Sequence, residues 1–130
     1  INTSMINPKA LEKSIRRADV VIGAVRNTSN SITPCIVSED MVKLMKPGSV
    51  IIDVSIDGGG CFETSEITSH TNPTFIKHGV IHYCVPNIPS RVARTSSFSL
   101  SNIFSSLLIQ IGENSGVDNI ILNKPKVDFI

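Results

Sequence analysis

The sequence predicts an α/β fold in which short buried strands form a parallel sheet with helices packed against it. Three apolar runs of similar length are rich in β-branched residues, which favours strands buried on both faces, as in a parallel sheet. These runs are residues 20–25, 49–54 and 80–85. The segments beside them place apolar residues at helical spacing. A chain of 130 residues has the length of one domain rather than two.

The first element is a predicted helix that starts at Asn7 and Pro8. Asn7 can cap the free N–H groups of a first turn, and Pro8 fits the first helical position without losing a hydrogen bond. Leu11, Ile15 and Ala18 then recur at helical spacing. We expect this helix to end before the strand at residues 20–25.

A second helix is predicted between the first two strands. Ser38 is its expected N-cap, and Glu39 and Asp40 lie in the first turn, where the helix dipole favours acidic residues. Lys-Pro-Gly at residues 46–48 ends the helix before the strand at 49–54. Strand, helix and strand in this order predict a βαβ unit with a right-handed crossover.

The third strand is expected to follow a tight turn. Residues 74–77 are predicted as a short edge strand, and His78-Gly79 as the turn into the strand at 80–85. Pro86 and Pro89 prevent the strand from continuing.

A final helix is predicted at about residues 95–111. Its apolar stripe consists of Leu100, Phe104, Leu107, Leu108 and Ile111. No partner within the chain is identified for residues 113–130.

Composition and charge exclude several classes of function. The net charge is +1 without long charged runs, so neither nucleic acid nor a membrane is an expected partner. The histidines show no metal-ligand spacing, and no metal site is predicted. The three cysteines are odd in number and lack the spacing of a metal clip, so we expect free thiols and a cytoplasmic location. The chain shows no secretory signal and begins with Ile1, so we expect it to be a piece of a longer protein.

The candidate site lies where the predicted strands end. Ligands of open parallel sheets bind outside the carboxyl ends of the strands. Asp57 begins a loop with three glycines, and its carboxylate could orient an amine or water or accept a proton. Asn87 has a donor and an acceptor suited to a ribose or a carboxamide. A flexible glycine turn with a solvent-facing carboxylate is the alternative, and Asp53 is interpreted as structural.

Two long stretches of this sequence resemble the alanine dehydrogenase family. They are GSVIIDVSIDGGGCFETS at residues 48–65 and HYCVPNIPSRVARTSSFSLSN at residues 82–102. ADVVIGAV and MVKLMKPG precede them in the family's order, and the resemblance covers residues 8–112. It implies an NAD-dependent enzyme that interconverts L-alanine with pyruvate and ammonia, and a homo-oligomer, since the family forms hexamers. Nicotinamide nucleotide transhydrogenase α subunits share the implied fold and match less well.

The resemblance also implies roles for individual residues. Asp57 corresponds to the family's active-site aspartate beside the nicotinamide. The other positions implied to bind the cofactor are Val25 near the ribose, Val54, Val85, Asn87 and Ile88.

Several positions differ from the family pattern. Residues 26–30 (RNTSN) replace a Leu-x-Pro-Gly loop, and Gly58, Pro86 and Ile88 stand where the family usually has Gln, Ala and Met. The sequence has no G-x-G-x-x-G fingerprint to bind a pyrophosphate.

We therefore expect the second half of a Rossmann-type parallel sheet with flanking helices, which is a partial domain. Residues 1–112 would form the partial NAD-binding domain, and residues 113–130 would lead back to a catalytic domain outside this sequence. Two alternatives stay open. One is a non-catalytic nucleotide-binding or assembly module, and the other is a domain like the transhydrogenase α subunit.

Overall fold

The computed structural model describes residues 7–26 and 32–113. The chain divides into two compact units, Ile1–Ile88 and Pro89–Ile130. The elements of the first unit are α1 (Pro8–Ile15), β1 (Val20–Gly23), α2 (Glu39–Lys43), β2 (Val50–Asp53), β3 (Thr74–Lys77) and β4 (Val80–Tyr83). The second unit contains α3 (Ala93–Glu113). Short 3₁₀ helices lie at Ile56–Gly58 and Ile88–Val92.

The sheet has the strand order β1-β2-β4-β3. β1, β2 and β4 are parallel, and Ile51 of β2 pairs with Val21 on one side and His82 on the other. The predicted parallel sheet with flanking helices is therefore confirmed. β3 runs antiparallel to β4 at one edge of the sheet.

Local capping places both helices of the first unit as predicted. The side chain of Asn7 accepts a hydrogen bond from the backbone N–H of Lys9 at 3.0 Å, and Pro8 follows it. The hydroxyl of Ser38 accepts from the backbone N–H of Met41 at 3.4 Å. Each cap satisfies an N–H group that has no partner inside the helix.

The turn between β3 and β4 is also confirmed. His78 has φ of 55° and Gly79 has φ of 75°. Two-residue hairpin turns of type I′ need positive φ at both central positions, and their geometry matches the twist of the strands. The carboxylate of Glu39 pairs with His78 and ties this turn to α2.

The core of the first unit lies on one face of the sheet. Ile51 and Val80 point to this face, where Ile15 of α1 and Val42 of α2 pack against them. Phe62 from the loop after β2 completes the cluster.

The prediction that the strands are buried on both faces is wrong for β1 within this unit. Val20 and Ile22 of β1 are 53% and 63% exposed. Alternate side chains of a strand point to opposite faces, and the core cluster of the first unit covers only the face of Ile51. The apolar run 20–25 therefore does not reflect burial within this unit.

The helix predicted at residues 95–111 is confirmed as α3, which extends two residues further at each end. None of the residues of α3 is buried. Of the helices that the structure describes, none has the length and apolarity needed to cross a membrane. The predictions for loop residues 27–31 and for the segment after residue 113 lie outside the described residues.

Candidate functional site at the carboxyl ends of the parallel strands

The three parallel strands have their carboxyl ends side by side, at one end of the sheet, which we call the carboxyl edge. Neighbouring parallel strands point the same way, so the loops after Gly23, Asp53 and Tyr83 start side by side. The backbone N–H of Val54 donates to the carbonyl oxygen of Gly23 at 2.8 Å and joins two of these ends. This edge is where ligands of open parallel sheets bind.

Two of the predicted site residues, Asp57 and Asn87, are in contact at this edge. Asp57 lies in the 3₁₀ helix Ile56–Gly58 and is exposed. The backbone N–H of Asn87 donates to both carboxylate oxygens of Asp57, at 3.3 Å from Oδ1 and 3.2 Å from Oδ2. Asn87 has φ of 52°, a left-handed conformation that asparagine tolerates better than most residues. The loops after β2 and β4 therefore meet at the carboxylate of Asp57.

The carboxylate of Asp53 organises the loop that carries Asp57. Asp53 is the last residue of β2 and is fully buried. Its Oδ1 accepts from the backbone N–H of Ser55 at 2.9 Å. Its Oδ2 accepts from the backbone N–H of Cys61 at 2.9 Å and from the hydroxyl of Ser65 at 2.7 Å. A buried carboxylate without such donors would be very costly.

Asp53 is not among the site residues predicted from the sequence, which indicates only a structural role for it. Its connection to the loop of Asp57 is visible only in the structure. The available signal was an acidic residue at the end of an apolar strand. A buried carboxylate there requires several donors, and the loop that follows is the nearest supply of backbone N–H groups.

The glycines after Asp57 lie close to neighbouring segments of the chain. Gly59 and Gly60 have φ of 108° and 79°, which favours glycine. A Cβ atom added at Gly60 would lie 2.8 Å from Oδ2 of Asp53. On the other side of the loop, the backbone N–H of Thr33 donates to the carbonyl oxygen of Gly58 at 2.8 Å. The loop is therefore anchored at Asp53 and Thr33, while Asp57 itself is exposed.

The other predicted cofactor residues differ in how much of their surface is exposed. Val54 is 44% exposed, and Val25 and Ile88 are partly buried. Val85 is fully buried and presents no exposed surface. Within the described residues, no group of three acidic, cysteine or histidine side chains could hold a metal ion.

The two buried cysteines near the site are poor nucleophiles. Burial raises the pKa of the Cys61 thiol to about 11, and the neighbouring negative charge of Asp53 adds to this effect. Burial also raises the pKa of Cys84. Since the thiolate is the reactive form, neither thiol has the properties of a catalytic cysteine. All three cysteines are free, as the sequence predicted.

The parallel sheet and its strand-end loops define a partial Rossmann-type nucleotide-binding domain. The family model "Alanine dehydrogenase/PNT, C-terminal domain" matches residues 1–129. The chain belongs to this family.

Curated relatives agree with this assignment. An alanine dehydrogenase of Staphylococcus haemolyticus (strain JCSC1435) is 50% identical over 103 residues, which is 78% of this chain and 27% of the relative. An alanine dehydrogenase of Halomonas elongata is 46% identical over 104 residues, or 80% of this chain and 28% of the relative. The chain thus spans little more than a quarter of the length of these relatives.

Solved structures show the same likeness. An L-alanine dehydrogenase superposes with a TM-score of 0.75 at 39% identity, over 82% of this chain and 29% of the other. A transhydrogenase from Sinorhizobium meliloti superposes with a TM-score of 0.70 at 25% identity, over 79% of this chain and 30% of the other.

Proposed function

We propose that this chain forms the nicotinamide side of the active site of an NAD-dependent alanine dehydrogenase. The overall reaction converts L-alanine, NAD⁺ and water to pyruvate, ammonium, NADH and a proton. The contact between Asp57 and Asn87 at the carboxyl edge of the parallel strands carries the proposal. The reaction would belong to the whole protein, because the chain spans about a quarter of its curated relatives.

The strand-end residues fit a nicotinamide cofactor. Val54 offers exposed apolar surface next to the loop of Asp57, as a flat ring requires. Gly58 and Gly59 are exposed and carry no side chain, so a ligand can approach the backbone there closely. We propose that the residues that hold NAD are Val25, Val54, Asp57, Val85, Asn87 and Ile88. When bound, NAD supplies the hydride acceptor.

Asp57 would orient the amine of the substrate or the attacking water. Its exposed carboxylate has two oxygens with about four acceptor positions, and the N–H of Asn87 occupies only part of this capacity. The remaining positions can accept hydrogen bonds from an ammonium group or water. Holding this group in one place lowers the entropic cost of the reaction, and the proton acceptor would come from another domain.

Asp57→Ala in the intact protein tests the proposal. We expect alanine-dependent NADH formation to fall by about 100-fold or more, the range in which a positioned acid or base contributes. The melting temperature should stay close to that of the unmodified protein, because the Asp57 side chain is exposed. Asp40→Ala is the matched control, since Asp40 is an exposed carboxylate in α2 away from the strand ends. Near-normal turnover of Asp57→Ala would remove Asp57 from the mechanism.

The location, assembly and limits of the domain are part of the same proposal. We propose a cytoplasmic homo-oligomer, a hexamer as in the family, in keeping with the free thiols and the exposed apolar residues of β1. Residues 1–112 would be the partial NAD-binding domain, and residues 113–130 would lead to the catalytic domain.

A transhydrogenase-like domain is the second candidate, and the superposition on the Sinorhizobium meliloti structure favours it. The two functions differ in their need for an amino acid. If the intact protein binds NAD⁺ but forms no NADH when L-alanine is added, the transhydrogenase-like function is supported.

A further inference from the structure

The bonding of Asp53 is unusual for a residue in the interior. Its carboxylate is fully buried, and among the described residues no ion pair involves it. Its oxygens accept instead from the N–H groups of Ser55 and Cys61, the thiol of Cys61 and the hydroxyl of Ser65. Removing a partner from such a group costs more than the bond itself contributes, so these contacts strongly favour one geometry of the loop.

Two of these donors lie on either side of Asp57 in the sequence. Ser55 lies two residues before Asp57 and Cys61 lies four residues after it, and both are bound to the same carboxylate. Inside the loop, the backbone N–H groups of Gly58 and Gly60 donate to the carbonyl oxygen of Ser55 at 2.9 and 3.0 Å. The backbone on both sides of Asp57 is therefore attached to the end of β2.

Gly60 allows the loop to lie directly against this carboxylate. Its φ of 79° and the 2.8 Å that would separate an added Cβ from Oδ2 of Asp53 leave no room for a side chain. Gly60 and both ends of the loop therefore lie against Asp53.

We propose that Asp53 is a positioning residue that holds the carboxylate of Asp57 in its working place through the loop at residues 55–61. The inference rests on the role proposed for Asp57. Asp53 is fully buried and would touch neither substrate nor cofactor. Its effect would be on turnover, because a displacement of about 1 Å in a reacting group can cost about 100-fold in rate.

The test compares Asp53→Asn with Thr64→Val in the intact protein. Asparagine keeps the shape of Asp53 but places an NH₂ group against one of the donors. Thr64 is also fully buried and bonds to Nε2 of His82 at 2.8 Å, outside the loop at 55–61. Both variants should lose stability, so Thr64→Val controls for a general loss of packing.

We expect kcat of Asp53→Asn to fall by about 10-fold or more, while its KM for NAD changes by less than about 3-fold. Thr64→Val should keep kcat within about 2-fold of the unmodified protein. Hydrogen exchange of the backbone N–H groups at residues 56–61 should become faster in Asp53→Asn and not in Thr64→Val. A purely structural role would lower the stability of both variants without separating their kcat values.

A second variant, Ser65→Ala, tests the inference if Asp53→Asn does not fold. Ser65→Ala removes one donor to Asp53 and should give a smaller loss of kcat and faster exchange in the same loop. If Asp53→Asn folds and its kcat is unchanged, the inference is overturned. If Asp53→Asn does not fold, unchanged kcat and unchanged hydrogen exchange in Ser65→Ala would overturn it. An unmodified protein without alanine-dependent activity would instead contradict the proposed function. The exchange measurement would then decide whether Asp53 holds the loop.

Discussion

The backbone N–H of Asn87 donates to both carboxylate oxygens of Asp57, 3.3 Å from Oδ1 and 3.2 Å from Oδ2. Thirty residues separate the two in the sequence, and each follows a different strand of the sheet. The contact depends on the left-handed conformation of Asn87, because this conformation sets the direction of its N–H group. Backbone geometry at Asn87 and carboxylate position at Asp57 are therefore linked.

The first prediction concerns the backbone of Asn87. Asn87→Gly should keep most of the stability, because glycine readily adopts positive φ. Asn87→Ala should lose about 1–2 kcal/mol, the cost of a left-handed conformation for an ordinary residue. Urea unfolding of the three proteins measures the difference.

Ile67 provides the control for this comparison. It is 73% exposed and is not among the residues with positive φ, so alanine there should be at least as stable as glycine. If the alanine variant is at least as stable as the glycine variant at Asn87 as well as at Ile67, a conformational role for Asn87 is contradicted.

The second prediction concerns the close packing of Gly23 at the end of β1. A Cβ atom at this position would overlap Sγ of Cys61 and lie 2.5 Å from Cε2 of Phe62. Gly23→Ala should therefore destabilise the chain by about 1–3 kcal/mol, as overpacking of a core does. Thermal and urea unfolding measure the loss.

Two comparisons sharpen this test. Gly112 in α3 has no atom within 4 Å of an added Cβ, so Gly112→Ala should be neutral or stabilising. Adding Cys61→Ala to Gly23→Ala should cost less than the sum of the single changes, because it removes the overlapping sulfur. Full additivity would show that the two residues do not compete for space.

The third prediction is a pH dependence of stability caused by His82. His82 is fully buried, stacks on Phe75 and lies 3.0 Å from the carbonyl oxygen of Val80 through Nδ1. This contact makes Nδ1 the donor, and Nε2 then accepts from the hydroxyl of Thr64. Burial lowers the pKa of His82 below its ordinary value of 6.5. Folding therefore favours the neutral form of His82.

The sign of the effect follows from the lowered pKa. As the pH falls below 6.5, the unfolded chain binds a proton at His82 that the folded chain does not bind. The free energy of unfolding should therefore decrease from pH 6.5 downwards, until the folded-state pKa is passed, by at most about 1.4 kcal/mol per pH unit for this group. His82→Gln should flatten this slope, and His70→Gln should not, since His70 is exposed. Equal slopes in all three proteins would exclude His82 as the cause.

The fourth prediction concerns thiol reactivity. Cys35 is exposed, whereas Cys61 and Cys84 are buried, and burial raises the pKa of both. Ellman's reagent should therefore label one thiol rapidly in the native protein and all three after unfolding. Cys35→Ser should abolish the rapid phase. Rapid labelling that survives this change would show that a buried thiol is accessible.

Much of the fold could be predicted because its signals are local. The cap of Asn7 on Lys9 and that of Ser38 on Met41 span two and three residues, so the sequence shows both partners at once. The turn at His78-Gly79 and the three apolar runs depend in the same way on neighbouring residues. The candidate site was found because parallel strands place their carboxyl ends together, a rule that needs only strand order and direction.

The parts that could not be predicted depend on packing between distant segments. An apolar run does not show which face receives a helix, and for this reason Val20 and Ile22 were expected to be buried and are exposed. The donors of Asp53 lie up to twelve residues away, and their convergence is visible only in the folded loop.

The sequence by itself determined the helices, the strands, their order and the edge of the sheet where Asp57 lies, because capping, periodicity and turn geometry act over a few residues. Only the tertiary structure decided that Asn87 bonds to Asp57 and that Asp53 lies beneath the glycine loop. These contacts arise when the register of β1, β2 and β4 brings separate loops to one edge, and register is a property of the assembled sheet.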